Sequence, residues 1–148
     1  MVQIIQQNKS KEKIRDYITK HRRVFHSPLD ERVDILQYSE KLARNSIQFW
    51  LMIEDQAVGF MACYFNDQIN LTGFITTISL EKKYQGQGLG KRLIKEAIQY
   101  GKTHGFLSIK LQVSKTNKPA INFYLKYGFT IIEETPQSLY MAIQLQET

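Results

Sequence analysis

Tyr84-Gln85-Gly86-Gln87-Gly88-Leu89-Gly90-Lys91-Arg92 lies between a strand-like run, Thr72 to Leu80, and a run of helical period from Gly88 to about Thr103. Glycines at such a junction let backbone N–H groups approach a ligand closely, and the N-terminus of a helix favours an anion. Two well-known phosphate loops can be tested by spacing. A dinucleotide-binding G-x-G-x-x-G beginning at Gly86 needs glycine at position 91, which is Lys91. It also needs an acidic residue about 20 positions on, and none follows. A Walker A loop needs glycine where Gln85 stands and Ser or Thr where Arg92 stands, so it fails too.

Outward from this loop the pattern is mixed. Upstream, Ser10 can cap a helix carrying Ile14, Tyr17 and Ile18 on one face. His26-Ser27-Pro28-Leu29 reads as a break, and a second helix is expected from near Val33 to Arg44. Ile47 to Ile53, Ala57 to Phe65 and Thr72 to Leu80 read as three strands of an antiparallel meander, with turns at Glu54-Asp55-Gln56 and Asn66-Asp67. Downstream of the loop helix, Phe106 to Val113 alternates as a strand. Asn117 to Tyr127 reads as a helix with Asn117 as N-cap, Pro119 in the first turn and Gly128 closing it. Phe129 to Glu133 and Leu139 to Leu145 complete the order α-α-β-β-β-α-β-α-β-β, a mixed α/β chain read as one domain over residues 1–148.

Of the 148 residues, 43% are hydrophobic and 23% charged, ordinary for a globular protein. No apolar run approaches the roughly 20 residues that cross a bilayer, and the first residues do not read as a signal peptide. Cys63 is the only cysteine, which excludes an internal disulfide and fits a reducing cytoplasm. His21, His26 and His104 are scattered, so no metal is expected. The net charge of +6 is uneven. Residues 1–81 sum to zero, residues 82–126 to +9 and residues 127–148 to −3. A basic field of this kind attracts a polyanion, whether nucleic acid, acidic membrane or a phosphate-rich cofactor. The glycines inside the same stretch favour the cofactor over nucleic acid or a membrane.

Gln85-x-x-Gly88-x-Gly90 resembles the pyrophosphate loop Q/R-x-x-G-x-G/A of the GNAT superfamily of N-acetyltransferases. Asn117-x-x-Ala120-x-x-Phe123-Tyr124-x-x-Tyr127-Gly128-Phe129 is similar to that family's second acetyl-CoA motif. The likeness covers roughly Ile47 to Leu145. It implies a central mixed, mostly antiparallel sheet flanked by helices, with a splay between the fourth and fifth strands, here Thr72–Leu80 and Phe106–Val113. It further implies acetyl-CoA as co-substrate, lying in that splay. The amides of Gln85, Gly86, Gln87, Gly88, Leu89 and Gly90 would surround the pyrophosphate, and Lys91, Arg92 and Lys118 are candidates for the outer phosphates. Backbone around Ile78 and Leu80 would pair with the pantetheine arm. Asn117 would contact the cofactor besides capping its helix.

Tyr124 is the catalytic candidate implied by the resemblance, with its hydroxyl facing the departing thiolate; the competing reading is a core aromatic. Free phenol titrates near ~10 and thiol near ~8.5, so a strengthening hydrogen bond is a better role than full proton transfer. No acid stands in Gly73-Phe74-Ile75-Thr76-Thr77-Ile78-Ser79 to serve as general base, and a water relay past Thr76 and Thr77 is preferred. Nor does the sequence suggest a nucleophile paired with a base, so transfer to the amine is expected to be direct. His26, Arg32, Tyr64 and Tyr140 are candidates for lining the acceptor pocket. Pro28-Leu29-Asp30-Glu31-Arg32 and Tyr64-Phe65-Asn66-Asp67 faintly resemble family members associated with bacterial surface polysaccharides. That likeness makes a small-molecule amine, an amino sugar among them, the expected acceptor. A protein or peptide N-terminus and a non-catalytic acyl-CoA-binding module are the alternatives. Many members of the family dimerise, so the resemblance allows a homodimer.

Overall fold

Hydrophobic side chains of period 2 and period 3.6 sort onto two faces of a single sheet. The computed structural model describes residues 1–21 and 34–145. Its strands are β1 (Val2–Gln6), β2 (Ile47–Ile53), β3 (Gln56–Asp67), β4 (Thr72–Leu80), β5 (Ser108–Ser114), β6 (Thr130–Glu134) and β7 (Ser138–Gln144). The described helices are α1 (Lys11–His21), α2 (Ile35–Asn45), α3 (Leu89–Thr103) and α4 (Lys118–Tyr127), with a 3-10 turn at Lys82–Tyr84. The seven strands form one sheet in the order β1-β2-β3-β4-β5-β7-β6. Every neighbouring pair is antiparallel except β4–β5. This is the mixed, mostly antiparallel α/β sheet that the sequence implies.

Alternation along β2 shows how the layers arise. Phe49 and Leu51 pack with Met61, Ile75, Leu93, Ile94, Ala97 and Ile109 under α3 and α4. Between them, Trp50 points to the opposite face and packs with Phe60, Ala62, Leu42 of α2 and Ile14, Tyr17 and Ile18 of α1. There Trp50 stacks on Phe60 at 4.2 Å between ring centroids, and Tyr17 meets both rings edge-on. Both faces of the sheet centre are therefore covered, which is why β3 reads as an almost unbroken apolar run rather than an alternating one. Capping side chains begin both helices of this face. The Ser10 hydroxyl accepts from the Lys13 amide at 3.3 Å, and Asp34 accepts from Leu36 and Gln37.

Four boundaries differ from the sequence expectation. β1 was not anticipated at all: Val2, Ile4 and Ile5 do not alternate, yet the strand pairs antiparallel with all but two residues of β2. Its presence makes Thr72–Leu80 the fourth strand, as the resemblance requires. β3 runs through Asn66 and Asp67, and the turn follows at residues 68–71. Asp67 begins that turn, because its side chain accepts from the Ile69 and Asn70 amides at 3.1 and 2.9 Å. β5 starts at Ser108, since Phe106 is spent closing α3, its N–H donating to the Gly101 carbonyl at 2.8 Å. Helix α2 starts at Ile35 behind the Asp34 cap, and the expected break at His26–Leu29, like Val33, lies outside the described residues.

Gly73 marks the tightest approach on the α3 side. A Cβ there would stand 2.4 Å from Phe65 Cε1, inside a ring wedged against Tyr100 and Phe106. Gly73→Ala is expected to cost about 1–3 kcal/mol by overpacking, read as a lowered midpoint in chemical denaturation with an unchanged slope.

Candidate functional site

Residues 72–75 of β4 pair with Ser108, Ile109, Lys110 and Leu111 of β5, and there the parallel pairing ends although both strands run on. On its other edge β4 stays paired with β3 as far as Leu80. The register between them slips twice, once between Tyr64 and Asp67 and once where Ala62 faces Thr77 and Cys63 faces Ile75; at this second slip Thr76 is the extra residue of a bulge. A bulge bends its strand and increases its twist. It falls where β4 and β5 part. From Thr76 to Leu80 the β4 backbone therefore has no strand partner on the β5 side.

The cleft so opened has a volume of about 720 Å³. Its floor is Ile78, Ser79 and Leu80, one end is Gln85, Gly86, Gly88, Gly90 and Lys91, and the opposite wall comes from α4 through Pro119, Ala120, Phe123, Lys126 and Tyr127. The loop at the end is preformed by its own amide side chains. Gln85 Nε2 donates to the Leu80 carbonyl at 2.9 Å, and Gln87 Nε2 to the Lys83 carbonyl at 3.1 Å. Gly86 and Gly88 adopt φ of +80° and +82°, and a Cβ on either would meet nothing within 4 Å. These two glycines are therefore required by backbone conformation, and the space before them is open to a ligand. Gly88 is the N-cap of α3 and has no side chain to satisfy the first amides of the helix. Those amides, the positive end of the helix dipole and Lys91 converge on one corner, with Lys126 across from them. Pyrophosphate suits such a corner, and the long, mostly apolar trough suits an extended thiol arm.

Most residues expected at the site are gathered here. Ile78, Leu80, Gln85, Gly86, Gly88, Gly90 and Lys91 all line the cleft. Gln87 is exposed and turned back onto the loop, and Leu89 is buried beneath it. Asn117 is the N-cap of α4, its Oδ1 accepting from the Ala120 amide at 3.3 Å. Tyr124 sits behind the α4 wall with only 7% of its surface exposed, its ring against Phe123 and Phe129. Burial pushes its phenol up to about 12. Ser79, Pro119, Phe123, Lys126 and Tyr127 were not singled out as ligand contacts. The spacing 119/120, 123, 126/127 is one stripe of α4, and that period was the signal for the wall.

A second group was missed altogether. His21, the last residue of α1, is buried and bonded through both ring nitrogens: Nε2 lies 2.6 Å from Glu81 Oε2, and Nδ1 2.9 Å from the Tyr17 carbonyl. The Tyr17 ring stacks on the imidazole at 4.1 Å, and its hydroxyl lies 2.9 Å from Ser79 Oγ. The two partners are 60 residues apart, so no local pattern could announce the pair. Of the acceptor candidates, Tyr64 has a buried hydroxyl with no hydrogen-bond partner among the described residues, while Thr76 Oγ1 lies 3.0 Å from the Tyr38 hydroxyl. Tyr140 lies on β7 opposite Gln112, and His26 and Arg32 fall outside the described residues. Cys63 is fully buried, and burial raises its thiol. Among the described residues no cluster of His, Cys, Asp or Glu could hold a metal, and no helix is long and apolar enough to cross a membrane.

Comparison with known proteins gives a consistent answer. Residues 12–129 match the family model of the "Acetyltransferase (GNAT) family". An uncharacterised N-acetyltransferase of Methanocaldococcus jannaschii is 35% identical over 95 residues, covering 54% of this chain and 42% of the relative. The chain thus spans about two fifths of that relative's length. The ribosomal-protein-S18-alanine N-acetyltransferase of Escherichia coli has the same fold, with a TM-score of 0.79 at 18% identity over 100% of this chain and 96% of that one. The PaiA N-acetyltransferase of Thermoplasma acidophilum, solved in complex with coenzyme A, superposes with a TM-score of 0.74 at 19% identity over 96% and 99% of the two chains.

The buried phenol gives a prediction for alkaline pH. A tyrosine whose folded value is raised contributes stability that is whole below its unfolded value near 10 and is lost as pH climbs toward the folded value. For Tyr124 the window is about pH 10 to 12, with a loss of roughly 2–3 kcal/mol. Denaturation midpoints from pH 9 to 11.5 should fall more steeply for the wild type than for Tyr124→Phe.

Proposed function

The chain belongs to the GNAT family of acetyltransferases, and from that premise we propose that it moves the acetyl group of acetyl-CoA directly to a primary amine of a small molecule. The observation that carries this reading is the β4–β5 splay leading into the glycine loop: an unpaired strand edge that ends at the amides of a helix N-terminus. Acetyl-CoA supplies an acetyl group already activated as a thioester. The loop amides from Gln85 to Gly90 bind its pyrophosphate, aided by Lys91, with Asn117 as a further contact. The backbone of Ile78 and Leu80 pairs with the pantetheine arm, and an amide at this edge faces the negative charge that develops on the thioester oxygen. Tyr124 donates a hydrogen bond to the departing sulfur.

Direct transfer is supported by what stands in place of a nucleophile. The Cys63 thiol is fully buried and raised, and Ser79 Oγ is bonded to a phenol rather than to a base. The same reading takes residues 1–148 as one acetyltransferase domain, working in the cytoplasm without a metal. Among small-molecule amines, amino sugars are the first acceptors to try.

Isothermal titration of acetyl-CoA tests the cofactor. The wild type is expected to bind one equivalent with micromolar affinity, and Gly88→Glu to lose at least 30-fold. Gly88→Ala shares the strain of positive φ without the charge and should lose far less. Absence of binding by the wild type would overturn the proposal. A panel of amino sugars, polyamines and a peptide α-amine then tests the acceptor. On whichever amine turns over, Tyr124→Phe should lower kcat about 10-fold or more with little change in KM for acetyl-CoA. Acetylation of the peptide alone would overturn the small-molecule assignment.

A further inference from the structure

The buried pair His21–Glu81 ties the last residue of α1 to the residue that follows β4, outside the roles assigned above. A carbonyl oxygen can only accept, so the contact with the Tyr17 carbonyl makes Nδ1 a donor. Nε2 then faces the Glu81 carboxylate at 2.6 Å, a short contact with the imidazole almost wholly buried. The imidazole is stacked on Tyr17, and the Tyr17 hydroxyl reaches Ser79. Two side-chain contacts from one helix thus hold positions 79 and 81, on either side of Leu80. From the other direction, Gln85 Nε2 holds the Leu80 carbonyl, and the Glu81 amide donates to the Val58 carbonyl at 2.8 Å. Ser79 and Leu80 line the cleft, and this is the stretch of β4 that lacks β5 as a partner.

We propose that His21 and Tyr17 are positioning residues for the cofactor cleft: through Glu81 and Ser79 they fix the unpaired end of β4 in the conformation that receives the pantetheine arm and launches the glycine loop. This rests on the function proposed above and goes beyond it by assigning part of the cofactor's affinity to a helix on the opposite face of the sheet. A strand bonded on one edge only is free to shift at the other. The latch removes that freedom before the ligand arrives, and preorganisation of this kind raises affinity without adding a contact.

The test is the Kd of coenzyme A by isothermal titration at 25 °C, with Tm measured for each protein. The variants are Glu81→Gln, His21→Asn, the two combined, and Tyr17→Phe, which removes one hydroxyl and keeps the stack. Leu42→Ala serves as the control, since it opens the apolar layer that Tyr17 shares while removing none of the latch's hydrogen-bonding groups. We expect Kd to rise at least 5-fold in either single variant of the pair, with the double variant no weaker than the weaker single one. Tyr17→Phe should raise Kd about 2-fold or more even if the Glu81 and His21 variants fail to fold. Leu42→Ala should lower Tm with Kd unchanged. Folded latch variants whose Kd stays at the wild-type value overturn the inference and leave the proposed function standing. Equal weakening in Leu42→Ala also overturns it, because general loosening would then explain the effect. A wild type that does not bind coenzyme A overturns the proposed function and this inference with it.

Discussion

A strand cannot leave its neighbour within a sheet unless something else holds it. β4 keeps all of its pairing with β3 while giving up β5 after residue 75, and the extra residue at Thr76 provides the bend. Backbone N–H and C=O groups removed from water cost free energy if unpaired, so this arrangement is tolerable only where a solvent-filled cleft or a ligand takes the place of the missing strand. The cleft, the loop at its end and the α4 wall follow from that choice. The helix that crosses from β4 to β5 must begin at the mouth of the gap, which puts its unpaired amides there, and α4, following β5, must close the far side. A site of this shape is thus built into the connectivity.

The charge of the chain follows the same geometry. The +9 between residues 82 and 126 spans the loop, α3, β5 and α4, the elements around the gap, and Lys91 and Lys126 reach its lining from the two sides. Glu81, the acidic residue that follows β4, is held by His21. The helix terminus, Lys91 and Lys126 together bring positive charge to the cleft, which suits a ligand carrying several phosphates.

What the sequence made legible was local. The three glycines of the loop, the Asn117 cap and the apolar and β-branched runs at 47–53 and 72–80 each announce themselves within a dozen residues, and the element order around them then fixes the sheet. Three features were hidden for different reasons. β1 is an edge strand whose apolar residues pack on both faces of the sheet, Val2 and Ile4 on one and Ile5 on the other, so no alternation could show in five residues. The α4 stripe at 120, 123 and 127 was read only as part of a motif and not as a cleft wall, because an apolar cleft wall and a hydrophobic core have the same sequence signature. The His21–Glu81 pair depends on α1 lying across the end of β4, a tertiary fact that no spacing encodes.

Tyr124 shows how burial decides between chemical roles for the same hydroxyl. With the phenol pushed up to about 12 and a free thiol near 8.5, complete transfer of the proton to a leaving thiolate is uphill by roughly 5 kcal/mol, steeper than for an exposed tyrosine. The same burial lowers the local dielectric, so a hydrogen bond from that hydroxyl to developing negative charge is worth more than it would be in water. A group that resists giving up its proton can still stabilise charge as it forms, and its advantage is largest where the charge is greatest, in the transition state. Packing against Phe123 and Phe129 surrounds the ring, so in the proposed role little reorganisation would be needed as the sulfur departs. The core position of Tyr124 and the role proposed for it are then compatible, because the packing that buries the side chain is what would suit it to that role.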